Sequence, residues 1–200
     1  MVMPEATPDK TALRTAAEER RRRQRGKDRL SAAVCARFAA LAPYAAAATV
    51  MAYVGVRNEV RTLPLLTAML IEGKQLVVPF CAEGELRLFR LYDLDELRPG
   101  HFGIPEPSPA LRRLAQRRAD PRSIDLVMVP GVAFDRRGGR IGQGRGYYDR
   151  FLARLREDAF TAGLAFECQL FPAVPMEPHD VFLDAVVTEE RLYSGRGRRG

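Results

Sequence analysis

No run of 18 or more apolar residues occurs anywhere in this 200-residue chain, which excludes an ordinary membrane-spanning helix. The N-terminal stretch MVMPEATPDKTALRTAAEERRRRQR lacks the apolar segment of a secretory signal. Its Glu5, Asp9, Glu18 and Glu19 also set it apart from an acid-poor transit peptide, so a cytoplasmic protein is expected. Cysteine is scarce: Cys35, Cys81 and Cys168 are odd in number, far apart and never in a C-x-x-C pair. That pattern suggests neither a disulfide framework nor a zinc site, and the three are expected as small buried apolar side chains. Histidine is scarcer still, and His101 and His179 are expected as structural or surface residues. Neither an internal repeat nor a long linker is present. With 46% hydrophobic residues, one core is expected, in a single monomeric domain over residues 1–194.

Acidic residues are outnumbered, and the formal charge is +7. The excess is not spread through the chain. Residues 18–29 and 191–199 carry +4 each and residues 1–17 balance, which leaves 30–190 at −1. A nucleic-acid face built into a fold would put the excess in its body. The run RRRRQRGKDR reads more simply as a solvated helix face, and SGRGRRG over 194–200 as a disordered Gly/Arg tail. Weak, salt-sensitive nucleic-acid binding through the two ends is the competing reading.

Short apolar runs alternate with helical patterns. TVMAYVGV (49–56), QLVVPF (75–80), IDLVMVP (124–130), AGLAFE (162–167) and LDAVVTEE (183–190) read as buried strands, and LRLFRLY (86–92) as an edge strand. NEVRTLPLLTAMLIEGK reads as a helix with Asn58 as its cap, Pro64 in its first turn and Gly73 at its stop. The order predicts an α/β fold, Rossmann-like, in three α/β/α layers around a mostly parallel sheet.

In such sheets ligands bind beyond the carboxyl ends of the strands. There, after strand 124–130, lies GGRIGQGRGYYDRF, with Gly142, Gly144 and Gly146 alternating ahead of an amphipathic helix from Gly146 or Tyr147. These glycines allow positive φ and close backbone approach to a ligand, and Arg140 and Arg145 add cationic donors. The spacing matches neither a Walker A loop nor G-x-G-x-x-G, so a tight connection and a phosphate loop both fit. Asp149 suits a helix start, and beside phosphate it suits magnesium, with Asp180 of EPHD as a second acid or a plain turn residue. Tyr147 and Tyr148 can stack on a heterocycle, one of the pair being expected in the core.

PGVAFDRRGGRIGQGRGYYDRFL, from Pro130 to Leu152, resembles the signature of the 5-formyltetrahydrofolate cyclo-ligase family. KTALR, RNEVRT, FGIPEP and EPHD resemble further family segments in the same order. The resemblance implies an ATP- and magnesium-dependent ligase. ATP phosphorylates the formyl oxygen of 5-formyltetrahydrofolate, nitrogen 10 attacks the activated carbon, and phosphate leaves 5,10-methenyltetrahydrofolate. It implies that Lys10, Arg14 and the loop of Arg140, Ile141, Gly142, Gln143, Gly144, Arg145, Gly146, Tyr147 and Tyr148 bind ATP. Gln143 to Tyr147 would also meet the folate, which can be polyglutamylated, and Glu59 would hold its pterin. Arg140, Arg145 and Tyr147 would act in catalysis, and Asp149 and Asp180 would bind magnesium. Arg145 stands where some relatives have Lys, which keeps the charge and changes the donor geometry. Phe102 stands where Trp is frequent.

Overall fold

The computed structural model describes residues 9–100 and 103–198. His101 and Phe102 therefore lie outside the described residues. The strands are β1 Thr49–Met51, β2 Gln75–Ala82, β3 Glu85–Leu91, β4 Leu97–Pro99, β5 Pro105–Pro107, β6 Leu126–Val129, β7 Ala133–Asp135, β8 Arg140–Ile141, β9 Phe160–Leu164, β10 Leu170–Phe171, β11 Ala185–Val187 and β12 Leu192–Ser194. The helices are α1 Lys10–Arg23, α2 Lys27–Ala39, α3 Ala42–Ala46, α4 Leu63–Ile71, α5 Pro109–Arg112 and α6 Tyr147–Leu152.

Seven strands form one sheet in the order β12-β11-β9-β6-β1-β2-β3. Its five inner strands are parallel, and both edges, β12 and β3, run antiparallel to their neighbours. Successive side chains point to opposite faces of a strand. Val50, Leu76, Val78, Leu126, Met128, Ala185 and Val187 pack in one core with Val34, Phe38, Leu66 and Met69 of α2 and α4. Met51, Val77, Val127, Val129 and Val186 pack in another with Phe151 and Leu152 of α6. Both faces are thus covered, which is why the inner strands read as continuous apolar runs, and the expected three-layer α/β/α fold is present. No described helix is long and apolar enough to cross a membrane.

Several boundaries differ from expectation. β1 stops at Met51, after which residues 52–54 remain buried without extending the ladder; burial alone does not distinguish strand from buried coil. The next helix starts at Leu63 rather than behind Asn58. Thr62 diverts the chain: its hydroxyl donates to the Tyr53 carbonyl at 2.7 Å and accepts from the Gly55 N–H at 2.9 Å. Residues 55–61 are thereby held as a loop carrying Glu59. Gly73, with φ +77°, does end that helix. α6 has only six residues, and the apolar pattern of its face continues to Leu155 through a turn. Of the cysteines, only Cys35 is buried; Cys81 is exposed and Cys168 intermediate.

A three-stranded sheet, β10-β7-β8, flanks the main one, and α1 lies against it through Leu13 and Ala17, which pack with Val132, Ala133, Ile141 and Phe171. The Arg run of α1 is only partly solvated. Arg20, Arg22 and Arg23 are exposed, Arg20 also stacking on the Phe171 ring at 4.4 Å, whereas Arg21 is 8% exposed.

Of the tail expected to be disordered, residues 195–198 make defined hydrogen bonds, and 199 and 200 lie outside the described residues. Gly195 N–H donates to Asp184 O at 2.8 Å and Arg196 N–H to Arg137 O at 2.8 Å. The Arg198 guanidinium donates to carbonyls of the segment after α6, including Arg156 O at 2.6 Å and Ala159 O at 2.8 Å. Composition reports flexibility but not the carbonyls waiting nearby. Deleting residues 195–200 should therefore lower unfolding free energy by about 2 to 4 kcal/mol, at roughly 1 kcal/mol per net hydrogen bond. A urea midpoint equal to that of the full chain would show these bonds to be idle.

Candidate active site

The hairpin from β7 to β8 turns through Arg136–Gly139 because of one carboxylate. Asp135 is fully buried and accepts from the N–H groups of Arg137 (2.9 Å), Gly139 (2.9 Å) and Val174 (2.9 Å), and from Arg137 Nη2 at 2.8 Å. Burial disfavours its charge, but these donors outweigh burial and hold the carboxyl below its ordinary range. Gly138 completes the turn at φ +87°, where a Cβ would lie 2.2 Å from the Leu183 carbonyl oxygen. Sequence reasoning passed over Asp135 as part of a turn; the D-x-x-G spacing was its signal.

This turn delivers Arg140 into the interior, with its side chain only 4% exposed. Its Nη2 meets Asp149 Oδ1 at 2.7 Å, its Nη1 reaches Pro130 O at 3.5 Å, and its Cζ lies 5.7 Å from the Tyr148 ring centre. Between Arg140 and Asp149 the chain bulges outward. Gln143, Gly144 and Arg145 are exposed, and Gly142, Gly146 and Tyr147 are intermediate. Gly144 and Gly146 take positive φ, +84° and +63°, as expected; Gly142 does not, and a Cβ there would come within 2.9 Å of Arg140 Nη1. Arg150 folds back from α6, donating to Arg145 O at 3.1 Å while its guanidinium lies over the Tyr147 ring at 5.4 Å.

α1 supplies the cations from across the loop. Arg14 Nε donates to Gly142 O at 2.9 Å. One turn earlier, Lys10 Nζ lies 2.6 Å from Asp180 Oδ2 and 2.8 Å from Glu177 Oε1. Burial opposes the Lys10 charge, but the hydrogen bonds to these two acids prevail and raise its pKa. Asp180 is correspondingly lowered: against burial stand the Glu177 N–H and Lys10. Glu177 was not anticipated.

Glu59 sits in the loop ahead of α4, with Oε2 accepting from Val56 N–H at 3.1 Å. Burial raises its carboxyl pKa, opposed by that N–H and by Arg21 and Arg57. The charge of Glu59 is felt by Tyr148 and by Tyr53, whose hydroxyls are raised first by burial and then by Glu59. Of the tyrosine pair, Tyr148 is the one that leans into the core, edge-on to Phe151 at 6.4 Å.

The structure thus joins Arg14, Arg140, Asp149 and Tyr148 around one loop, while Glu59 is held by its own loop ahead of α4. Asp149 and Asp180 pair with different cations, and among the described residues no cluster of three or more His, Cys, Asp or Glu forms a ready-made metal cage. A cavity of about 570 Å³ elsewhere, lined by Glu167, Glu189 and Glu190 with Arg29, contains none of these groups and has the wrong sign for an anionic ligand.

Residues 6–189 match the family model of the 5-formyltetrahydrofolate cyclo-ligases. The chain belongs to that family. It is 32% identical to the Escherichia coli K12 5-formyltetrahydrofolate cyclo-ligase over 156 residues, covering 76% of this chain and 83% of that one. It is 30% identical to a probable 5-formyltetrahydrofolate cyclo-ligase of Schizosaccharomyces pombe, covering 82% and 86%. Its fold superposes on the solved 5,10-methenyltetrahydrofolate synthetase of Aquifex aeolicus with a TM-score of 0.81 at 32% identity, over 96% and 95% of the two chains.

Asp135→Asn should destabilise this cyclo-ligase by about 2 to 3 kcal/mol, because an amide nitrogen takes the place of a carboxylate oxygen that accepts from buried N–H groups and leaves a buried donor unmet. The depressed folded pKa gives a stabilisation that is complete above the unfolded value of 3.8 and is lost as pH falls through the folded pKa. Urea titrations stepped from pH 7 down to about pH 2 should show a gap between wild type and variant that narrows below the unfolded pKa of 3.8; a gap constant over that whole range would remove the charge from the account.

Proposed function

We propose that this cyclo-ligase converts 5-formyltetrahydrofolate to 5,10-methenyltetrahydrofolate at the loop between β8 and α6, at the expense of ATP. The observation carrying the assignment is the convergence of Arg14 and Arg140 on the glycine loop at Gly142. Lys10, Arg14, Arg140 and the backbone of Ile141–Tyr148 hold the ATP phosphates. Exposed N–H groups at Gln143, Gly144 and Arg145 can approach a phosphate because glycine leaves the approach open.

The folate lies against Gln143–Tyr147, with its pterin donors on the Glu59 carboxylate; a carboxylate can accept a pair of such N–H bonds at once. The γ-phosphoryl group passes to the formyl oxygen, nitrogen 10 closes on the same carbon, and the oxygen departs as phosphate. An amide oxygen is a poor leaving group and its phosphate ester a good one. Alignment and charge shielding are therefore what the protein must supply. Arg140 and Arg145 shield the charge spreading over the phosphoryl oxygens, and Tyr147 orients the folate against the loop.

Asp149 and Asp180 suit magnesium. They offer hard oxygen donors, and their number matches an ion that takes one or two carboxylates and completes its shell with phosphates and water. Bound there, the ion would neutralise phosphate charge; Lys10 and Arg140 meanwhile hold the two carboxylates in place.

Purified chain given 5-formyltetrahydrofolate and ATP should develop methenyl-folate absorbance only when magnesium is added. Flat absorbance from folded protein would sink the proposal. Asp149→Asn should lower kcat by about 100-fold and raise the magnesium needed for half-maximal rate. Unchanged kinetics would take Asp149 out of the site. Glu59→Ala should raise the folate KM by roughly 10- to 100-fold, the range of a lost charged hydrogen-bond pair, with ATP KM little changed.

A further inference from the structure

The glycine loop is held at its two ends by different cations. At one end Arg14 Nε donates to Gly142 O at 2.9 Å, and Arg140 Nη1 fills the space where a Gly142 side chain would begin. The other end, from Arg145 to Tyr147, is held by Arg150 of α6. Arg150 Nη1 donates to Arg145 O at 3.1 Å, and its Cζ lies 5.4 Å from the centre of the Tyr147 ring. Gly146, at φ +63°, leaves the path between them clear: a Cβ there would stand 3.0 Å from Arg150 Nη1.

The second arm of the same guanidinium leaves the loop altogether. Arg150 Nη2 donates to Gly84 O at 3.2 Å, 66 residues away in the chain. Glu83 and Gly84 are the central residues of the β2–β3 turn, between the paired Ala82 and Glu85, and both take positive φ, +53° and +78°. Positive φ at both central positions belongs to the two-residue connection whose twist matches the flanking strands. A residue with a Cβ, such as Glu83, seldom keeps that conformation unless the surrounding structure fixes it. Just past α6, Arg154 lies 3.8 Å from Glu85, so the hairpin tip is met twice.

An exposed arginine ordinarily contributes little to stability. Arg150 is exposed, yet its fork is engaged by two carbonyls from segments far apart in sequence. A planar guanidinium suits that task, because its arms leave one carbon at fixed angles. We infer that Arg150 is a positioning residue for the folate end of the glycine loop: it ties the Arg145 carbonyl to the β2–β3 turn and keeps Tyr147 under its guanidinium. The inference rests on the proposed placing of folate against Gln143–Tyr147. Because Gly142 is held separately by Arg14, loss of Arg150 frees the Arg145–Tyr147 end first.

The test compares wild type, Arg150→Met, Arg150→Lys, Tyr147→Leu and the Tyr147→Leu/Arg150→Met double variant by steady-state kinetics, urea unfolding and amide hydrogen exchange. Met keeps the unbranched stem and the helix propensity and removes only the fork. Arg150→Met should raise the folate KM about 10-fold, the effect of one lost charged hydrogen bond, while the ATP KM stays within about two-fold and the urea midpoint holds. Arg150→Lys, a point charge that cannot span both carbonyls, should stay closer to Arg150→Met than to wild type. Amides of residues 143–147 should exchange faster in Arg150→Met, with those of the main sheet unchanged. In the Tyr147→Leu background the folate effect should shrink. The inference is overturned if loop exchange is unchanged, if folate and ATP constants rise together, if Lys serves as well as Arg, or if the folate effect persists undiminished without Tyr147. A lower urea midpoint with both KM values unchanged would make Arg150 a purely structural residue. The exchange comparison needs no turnover, so it decides the point even without an observed reaction. A normal folate KM in Tyr147→Leu alone would instead strike the placing of folate on which the inference stands.

Discussion

The site depends on a single buried carboxylate. Asp135 ties the N–H groups of Arg137 and Gly139 to that of Val174, so one side chain closes the β7–β8 hairpin and fastens the distant segment that leads toward Glu177 and Asp180. A carboxylate can do this because its oxygens offer several acceptor directions at once, and burial strengthens each bond while making an unmet one costly. Arg140 leaves that hairpin pointing inward, and everything on the loop beyond it is placed relative to Arg140 and its partner Asp149.

Around this fixed point the charges are arranged from two sides of the loop. α1 lays cations along one side of the loop, and α6 brings a carboxylate and two tyrosines to the other. The acids expected to hold magnesium are each matched to a cation, Asp149 to Arg140 and Asp180 to Lys10. Carboxylates each paired in this way keep defined orientations. The result is a preset field, and the proposed binding of polyanionic ATP there would need no large reorganisation of side chains.

Much of this was legible without coordinates, but unevenly. Continuous Val, Leu and Met runs announced a covered parallel sheet, and Gly73 announced the end of α4, because both are consequences of local chemistry and burial. The glycine loop and its pair of tyrosines also stood out in the sequence, and the long match from Pro130 to Leu152 carried the family. The Thr62 hydroxyl that holds the Glu59 loop open could not be read, since its partners at Tyr53 and Gly55 are selected by the backbone path. The same holds for the tail, whose glycines and arginines suggested disorder until the carbonyls after α6 were in place to receive Arg198.

The sequence by itself determined the layer architecture, the phosphate-suited loop and the family, because each is written in residue types at short or fixed spacing. Only the tertiary structure decided which charges are working ones. Within RRRR, Arg22 and Arg23 face water, Arg20 lies exposed over Phe171, and Arg21 is buried against the Gly131 carbonyl, although all four have the same chemistry. A helix turns 100° per residue, so neighbours in sequence meet different surroundings. The energy of a charge is set by those surroundings, and they come from segments far away along the chain.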